Sequence, residues 1–256
     1  MSTPRVSFLI GGVQKAGTTA LGEFLALHPQ VALPARKEAH IFDAPDFDDA
    51  ADSAAVDRLY ASQFADAVPS ALYGDATPIY LFLPQAIQRI ARYRPSMRWI
   101  ILLRHPVARA LSHYHMERGR GTETWPLWPA LMLERWRLRG HGDDLSWQSP
   151  LRLHSYRARG DYASQLDRLY AHFPGDQVLV LDSAQLRHQP DQALARVYAH
   201  LGLSGTPQLP AMQTVFAGRY PRLPQNSWRT RMLTALFRHE LATLKNRYDI
   251  DLAFGP

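Results

Sequence analysis

Lys15 stands inside Gly12-Val13-Gln14-Lys15-Ala16-Gly17-Thr18-Thr19, a stretch whose glycines, lysine and paired threonines are the materials of an anion cradle. The apolar run Val6 to Ile10 ahead of it suits a buried strand, and Thr18 to Leu27 behind it carries Leu21, Phe24 and Leu25 at helical spacing. In a strand-to-helix loop of this kind the backbone N–H groups and the helix N-terminus converge on one point, where Lys15 adds a full charge. A nucleoside-triphosphate loop would carry its lysine directly after the second glycine. Thr18 occupies that place, so the loop is P-loop-like without being that motif.

A second anion point follows the run Trp99-Ile100-Ile101-Leu102-Leu103. This buried strand leads into Arg104, where a magnesium-binding nucleotidase would present an aspartate. Pro106 opens the next helix, and Ser112 on it supplies a hydroxyl for the same anion. Two separated phosphate points, one a loop and one an Arg/Ser pair, match a nucleotide phosphorylated at both its 5′ and 3′ positions. The rival is a P-loop kinase using ATP and magnesium, supported by Val178-Leu179-Val180-Leu181-Asp182, a strand ending in aspartate. A binding module that has kept the fold and lost the chemistry is the non-enzymatic alternative.

The elements that position these residues alternate. Pro84 to Tyr93 is a helical stretch that Pro95 ends, and Asp161 to Phe173 places Tyr162, Leu166, Leu169, Tyr170 and Phe173 on one helical face. Val178 to Leu181 is then a strand, and Asp191 to Leu201 a helix. Repeated strand, turn and helix imply an α/β fold: a P-loop-like parallel sheet flanked by helices on both faces, with ligands beyond the carboxyl ends of the strands. The last helix is expected over Arg229 to Arg247. We expect a single domain over residues 1–256, interrupted by a Trp- and Arg-rich insertion at 119–149.

The chain has 256 residues, a net charge of +6 and no cysteine. Thiolate chemistry and disulfides are thereby excluded, which fits a cytoplasmic setting. No signal-peptide core or membrane-length apolar run is present, so no integral membrane association is expected. The basic residues are spread through folded segments and not gathered in a tail, which favours a concave anion site over nucleic acid. No metal cluster is evident; His113 and His115 lie two apart on a helix and point in different directions.

Five ordered stretches together identify a family: Gln14-Lys15-Ala16-Gly17-Thr18-Thr19-Ala20-Leu21, Lys37-Glu38-Ala39-His40-Ile41-Phe42-Asp43, Asp75-Ala76-Thr77-Pro78-Ile79-Tyr80, Leu103-Arg104-His105-Pro106 with Ser112, and Gly218-Arg219-Tyr220-Pro221. They resemble the motifs of sulfotransferases dependent on 3′-phosphoadenosine 5′-phosphosulfate (PAPS), most of all the heparan sulfate branch and its bacterial relatives. The resemblance implies that Gln14, Lys15, Ala16, Gly17, Thr18, Thr19 and Ala20 bind the 5′-phosphosulfate. Arg104 and Ser112 would bind the 3′-phosphate, and Gly218, Arg219 and Tyr220 would close over the nucleotide. Glu38 corresponds to the catalytic base, with His40 and Asp43 orienting the base and the acceptor. From the residues alone, Glu38 and His40 follow an extended stretch, Gln30 to Leu33, and as alternating positions would share one face.

The resemblance further implies a sulfuryl donor that leaves as adenosine 3′,5′-bisphosphate, no metal, and a small-molecule or carbohydrate acceptor, glycopeptides included, offering a hydroxyl or amine. Ala76 and Ala217 stand where heparan-acting relatives present lysines, and a cysteine-bearing segment of those relatives is absent. These departures remove cations and point away from heparan itself. Trp125, Trp128, Trp136 and Trp147, with Arg118, Arg120, Arg135, Arg137 and Arg139, form either an acceptor wall or a packed lid or subunit contact. The oligomeric state is not legible.

Overall fold

The computed structural model describes residues 4–64, 72–205, 228–252 and 254. In chain order its elements are β1 (Val6–Gly12), α1 (Thr18–Ala26), β2 (Val31–Ala32), α2 (Ser53–Ala61), β3 (Leu72–Asp75), α3 (Pro84–Tyr93), β4 (Arg98–Leu103) and α4 (Pro106–Gly119). There follow α5 (Leu127–Met132), α6 (Glu134–Arg137), α7 (Pro150–Leu153), α8 (Tyr162–Tyr170), β5 (Val178–Asp182), α9 (Ser183–His188), α10 (Pro190–Leu201), α11 (Trp228–Leu236) and α12 (Arg238–Tyr248). The described residues fall into two compact units, one of 4–64, 72–103 and 167–205, the other of 104–166, 228–252 and 254.

The first unit holds the sheet, a five-stranded parallel array in the order β2-β3-β1-β4-β5 flanked by helices. β1 and β4 are almost wholly buried, which is why they read as unbroken apolar runs and not as alternation. β1 pairs with β3 on one side and with β4 on the other, so the chain reverses its winding direction at β1. In open parallel sheets that reversal opens a crevice at the carboxyl ends of the strands. Close approach at this centre demands glycine: a Cβ on Gly74 would lie 2.1 Å from the Phe8 ring, and one on Gly11 would lie 2.3 Å from Trp99. Beside the sheet Phe42, Tyr60, Tyr80 and Tyr93 form an aromatic cluster with Phe42 at its middle, ring centroids 5.5–5.9 Å from it.

The second unit packs α4 and α5 with Tyr156, Leu233 and Phe237. The single final helix expected over Arg229 to Arg247 is two helices, divided at Phe237. Phe237 is buried in this core, where it comes so close to Gly160 that a Cβ there would sit 2.9 Å from its ring. Its backbone N–H bonds the carbonyl of Thr234 in a tightened last turn, and the helix axis restarts beyond it. Residues 119–149 belong to this unit and contain α5 and α6. Among the described residues no helix is long and apolar enough to cross a membrane.

Candidate active site

The loop after β1 takes the form its composition suggests. Val13 N–H donates to the Leu102 carbonyl at 2.8 Å, tying the start of the loop to the end of β4. Ala16 N–H closes a turn onto Val13 at 3.2 Å, and Lys15 and Gly17 take positive φ values of 75° and 98°. Gly17 is the N-cap of α1 and gives it no side-chain capping bond. The first-turn N–H groups of Thr18, Thr19 and Ala20 have no intrahelical acceptor, so the helix begins in a fan of donors beside a lysine. An ideal Cβ on Gly17 would meet no atom within 4 Å, which leaves the mouth of the loop open. Gln14, Lys15, Ala16, Gly17, Thr18, Thr19 and Ala20 thus form one continuous loop and helix start, with unpaired first-turn donors at its mouth.

The segment Lys37 to Asp43 is not the strand continuation that alternation implied. β2 stops at Ala32, and Glu38 and His40 lie on an irregular loop with left-handed φ values of 62° and 52°. Such conformations cost of order 1–3 kcal/mol each in a residue with a side chain and persist only where the surroundings fix them. The gain is convergence. His40 Nε2 lies 3.3 Å from Glu38 Oε2, His40 Nδ1 lies 2.9 Å from Asp43 Oδ2, and Lys37 Nζ lies 3.1 Å from Glu38 Oε1. Asp43 is fully buried.

Burial pushes the His40 pKa down, but the Asp43 and Glu38 carboxylates outweigh it and lift the imidazole to about 9. Burial pushes Glu38 up, yet the hydrogen bond from His40 and the charge of Lys37 hold it below its ordinary value. At neutral pH Glu38 is therefore a carboxylate and His40 an imidazolium, with the buried Asp43 side chain against the ring's other nitrogen.

Beneath this loop lies the stretch Asp75 to Tyr80, which the sequence singled out as a motif without a role for its aspartate. Asp75, the last residue of β3, is wholly buried and accepts from Thr77 Oγ1 at 2.8 Å, Tyr60 Oη at 2.9 Å and Tyr80 Oη at 3.0 Å. Its role was hidden because the partners Tyr60 and the amides of Ala39, His40 and Ile41 are distant along the chain.

Arg104 directly follows β4, and its carbonyl accepts the Tyr162 hydroxyl at 2.8 Å. Ser112 is buried in the second turn of α4, a helix that starts at Pro106 with no side-chain capping bond. His105 between them carries no charge at neutral pH, because burial and the Arg104 guanidinium push it down to about 4. Gly218, Arg219 and Tyr220, expected to close over a nucleotide, lie outside the described residues.

The aspartate on which a kinase would depend has another task. Asp182 caps α9, accepting from Ala184 N–H at 2.8 Å. Among the described residues no group of three or more His, Asp or Glu side chains is arranged to hold a metal ion. The Trp- and Arg-rich stretch divides in two. Arg137 lies 4.4 Å over the Trp125 ring and forks onto buried Glu123 at 2.7 and 3.1 Å, which makes that pair internal packing. Trp136 stacks on Trp125, and Trp128 on Trp228, while Trp136 and Trp147 remain exposed.

Comparison with known proteins accords with this arrangement. The sulfotransferase domain family model matches residues 6–216. The chain is 33% identical over 200 residues to mouse heparan sulfate glucosamine 3-O-sulfotransferase 6, covering 76% of this chain and 52% of that protein. It is 30% identical over 214 residues to the human bifunctional heparan sulfate N-deacetylase/N-sulfotransferase 2, covering 77% and 22%. It thus spans about half the length of the first relative and less of the second. The crystal structure of a sulfotransferase from Alicyclobacillus acidocaldarius superimposes with a TM-score of 0.76 at 30% identity, covering 97% of this chain and 98% of that one. With its P-loop-like loop, its parallel sheet and this family match, the chain belongs to the sulfotransferase family.

Proposed function

We propose that this chain moves a sulfuryl group from PAPS to a hydroxyl or amine of a small-molecule or carbohydrate acceptor, in the cytoplasm and without a metal. The observation that carries the proposal is the carboxylate of Glu38 held 3.3 Å from an imidazole that is itself anchored on buried Asp43. The donor supplies the sulfuryl group, and its 3′,5′-bisphosphate is the leaving group. The open N-terminus of α1 and Lys15 receive the 5′ end, and Arg104 and Ser112 take the 3′-phosphate.

Transfers of this kind pass through a loose, in-line transition state, so positioning and charge stabilisation carry most of the catalysis. Lys15 places its cation where negative charge grows on the departing oxygen, a role worth a few kcal/mol in comparable sites. Glu38 takes the acceptor's proton. Its lowered pKa makes it a weak base that is nonetheless ionised throughout the neutral range. The protonated His40 fixes the carboxylate's direction and receives part of its charge.

The relatives' names mention heparan sulfate. Here Ala76, buried with its methyl group toward Gly22 of α1, puts no cation at that point. This supports a small-molecule or other carbohydrate acceptor over heparan itself, with nucleic acid disfavoured.

Transfer of radiolabelled sulfate from PAPS across phenols, glycans, glycopeptides and amines tests the proposal, alongside binding of adenosine 3′,5′-bisphosphate against ATP with magnesium. We expect the bisphosphate to bind more tightly and Glu38→Gln to lose about two to four powers of ten in turnover with donor affinity retained. Preference for ATP, or full turnover in Glu38→Gln, would overturn it.

A further inference from the structure

We propose that Asp75 is a positioning residue for the base: its buried carboxylate is the common terminus for three successive backbone amides that hold the Glu38 loop in its catalytic shape. The inference rests on Glu38 being the base.

The geometry is a convergent relay. Ala39 N–H donates directly to Asp75 Oδ1 at 3.4 Å. His40 N–H donates to Thr77 Oγ1 at 3.4 Å, and Thr77 passes its own hydrogen to Asp75 Oδ1 at 2.8 Å. Ile41 N–H donates to Tyr80 Oη at 3.0 Å, and Tyr80 donates to Asp75 Oδ2 at 3.0 Å. Each hydroxyl accepts one amide of the loop and gives its proton onward. The consecutive amides that follow Glu38 therefore end on two oxygens of one side chain.

An ionised carboxylate suits this role because it only accepts, and every group facing it donates. Burial raises the Asp75 pKa above its ordinary value, and the hydrogen bonds from Thr77, Tyr60, Tyr80 and the Ala39 amide oppose that rise without cancelling it. The relay surrounds the two left-handed residues. Glu38 and His40 flank Ala39, and the amides of 39, 40 and 41 are all held by hydrogen bonds that lead to Asp75, which fixes the backbone around both. Tyr60 differs from its neighbours: it donates to Asp75 Oδ2 at 2.9 Å and accepts no amide of the loop. It is a built-in control for the mere loss of a hydroxyl–carboxylate bond.

The test uses Asp75→Asn, Thr77→Val, Tyr80→Phe and Tyr60→Phe in the full chain, with kcat, KM for PAPS, melting temperature, amide hydrogen exchange and the His40 ring titration by NMR. Asp75→Asn should lower kcat at least tenfold with KM for PAPS within threefold. It should also speed exchange at Ala39, His40 and Ile41, and lower the His40 titration point by a unit or more. Thr77→Val and Tyr80→Phe should lower kcat at least threefold, while Tyr60→Phe at a similar loss of melting temperature stays within twofold. If kcat follows melting temperature across all four variants, or Asp75→Asn leaves the exchange of these amides unchanged, the inference fails. Should Asp75→Asn not fold, Thr77→Val and Tyr80→Phe decide it, since each removes one relay and keeps the carboxylate. If the wild-type chain transfers no sulfuryl group, the proposed function falls, and the exchange and titration arms still judge the positioning role.

Discussion

His40 bridges Glu38 and Asp43, its Nε2 3.3 Å from one carboxylate and its Nδ1 2.9 Å from the other. A ring between two acids is most stable protonated, and its pKa of about 9 exceeds the ordinary 6.5. A group raised on folding stabilises fully below its unfolded value and loses that contribution as the pH climbs through its folded value. Stability should therefore decline from about pH 6.5 to about pH 9 by an amount that His40→Gln removes. Melting temperatures of both proteins at pH 6 and pH 9.5 give the comparison; parallel declines would show that the ring does not hold its proton.

Arg104 should be felt only by the 3′-phosphate. Charge-assisted hydrogen bonds contribute about 1.5–3 kcal/mol, so Arg104→Ala should weaken adenosine 3′,5′-bisphosphate binding about 10- to 150-fold while binding of the 5′-monophosphate is unchanged. Calorimetric titration of both nucleotides into both proteins closes the cycle. Equal losses for the two would remove Arg104 from this role.

The glycines near the site answer to different forces. Gly17 has open space but a φ of 98°, so Gly17→Ala should cost about 1–2 kcal/mol from the backbone alone. Gly74 has an ordinary φ, but the Phe8 ring lies 2.1 Å from where its Cβ would be, so Gly74→Ala must displace a central core ring. Urea denaturation should rank Gly74→Ala as the more destabilising of the two.

In the second unit, buried Glu123 accepts from the Arg137 fork, from the Tyr156 hydroxyl at 2.7 Å and from Trp125 N–H at 2.8 Å. Glu123→Ala strands Arg137 and should cost about 3–5 kcal/mol. Arg120 pairs with Glu117 at 3.1 Å, but its side chain is 58% exposed, so Arg120→Ala should stay within about 1 kcal/mol. Comparable denaturation midpoints for the two variants would contradict this ranking.

Strong local patterns made much of the fold legible. The apolar runs of β1 and β4 are buried strands and that of β5 a partly buried one, and Pro84 and Pro106 marked where α3 and α4 begin. Short or weakly patterned elements were not legible. α2 and β3 were missed, since Leu72–Asp75 is four residues long and owes its strand form to pairing with β1 and β2. The break at Phe237 was hidden because a helical pattern continues through it, and the burial of its ring in the core beside Gly160 is a tertiary contact.

The form of the loop after β1 could be read along the chain, because glycines, a lysine and a helix start within a few residues interact locally wherever the chain goes. The sequence by itself also brought Glu38, His40 and Asp43 within reach of one another by proximity along the chain. The tertiary structure decided how they face each other. Left-handed backbone at Glu38 and His40 is unfavourable on its own, and it holds because Asp75, Thr77 and Tyr80, more than thirty residues away, collect the loop's amides. A cost incurred locally and met by distant hydrogen bonds leaves no periodicity to read.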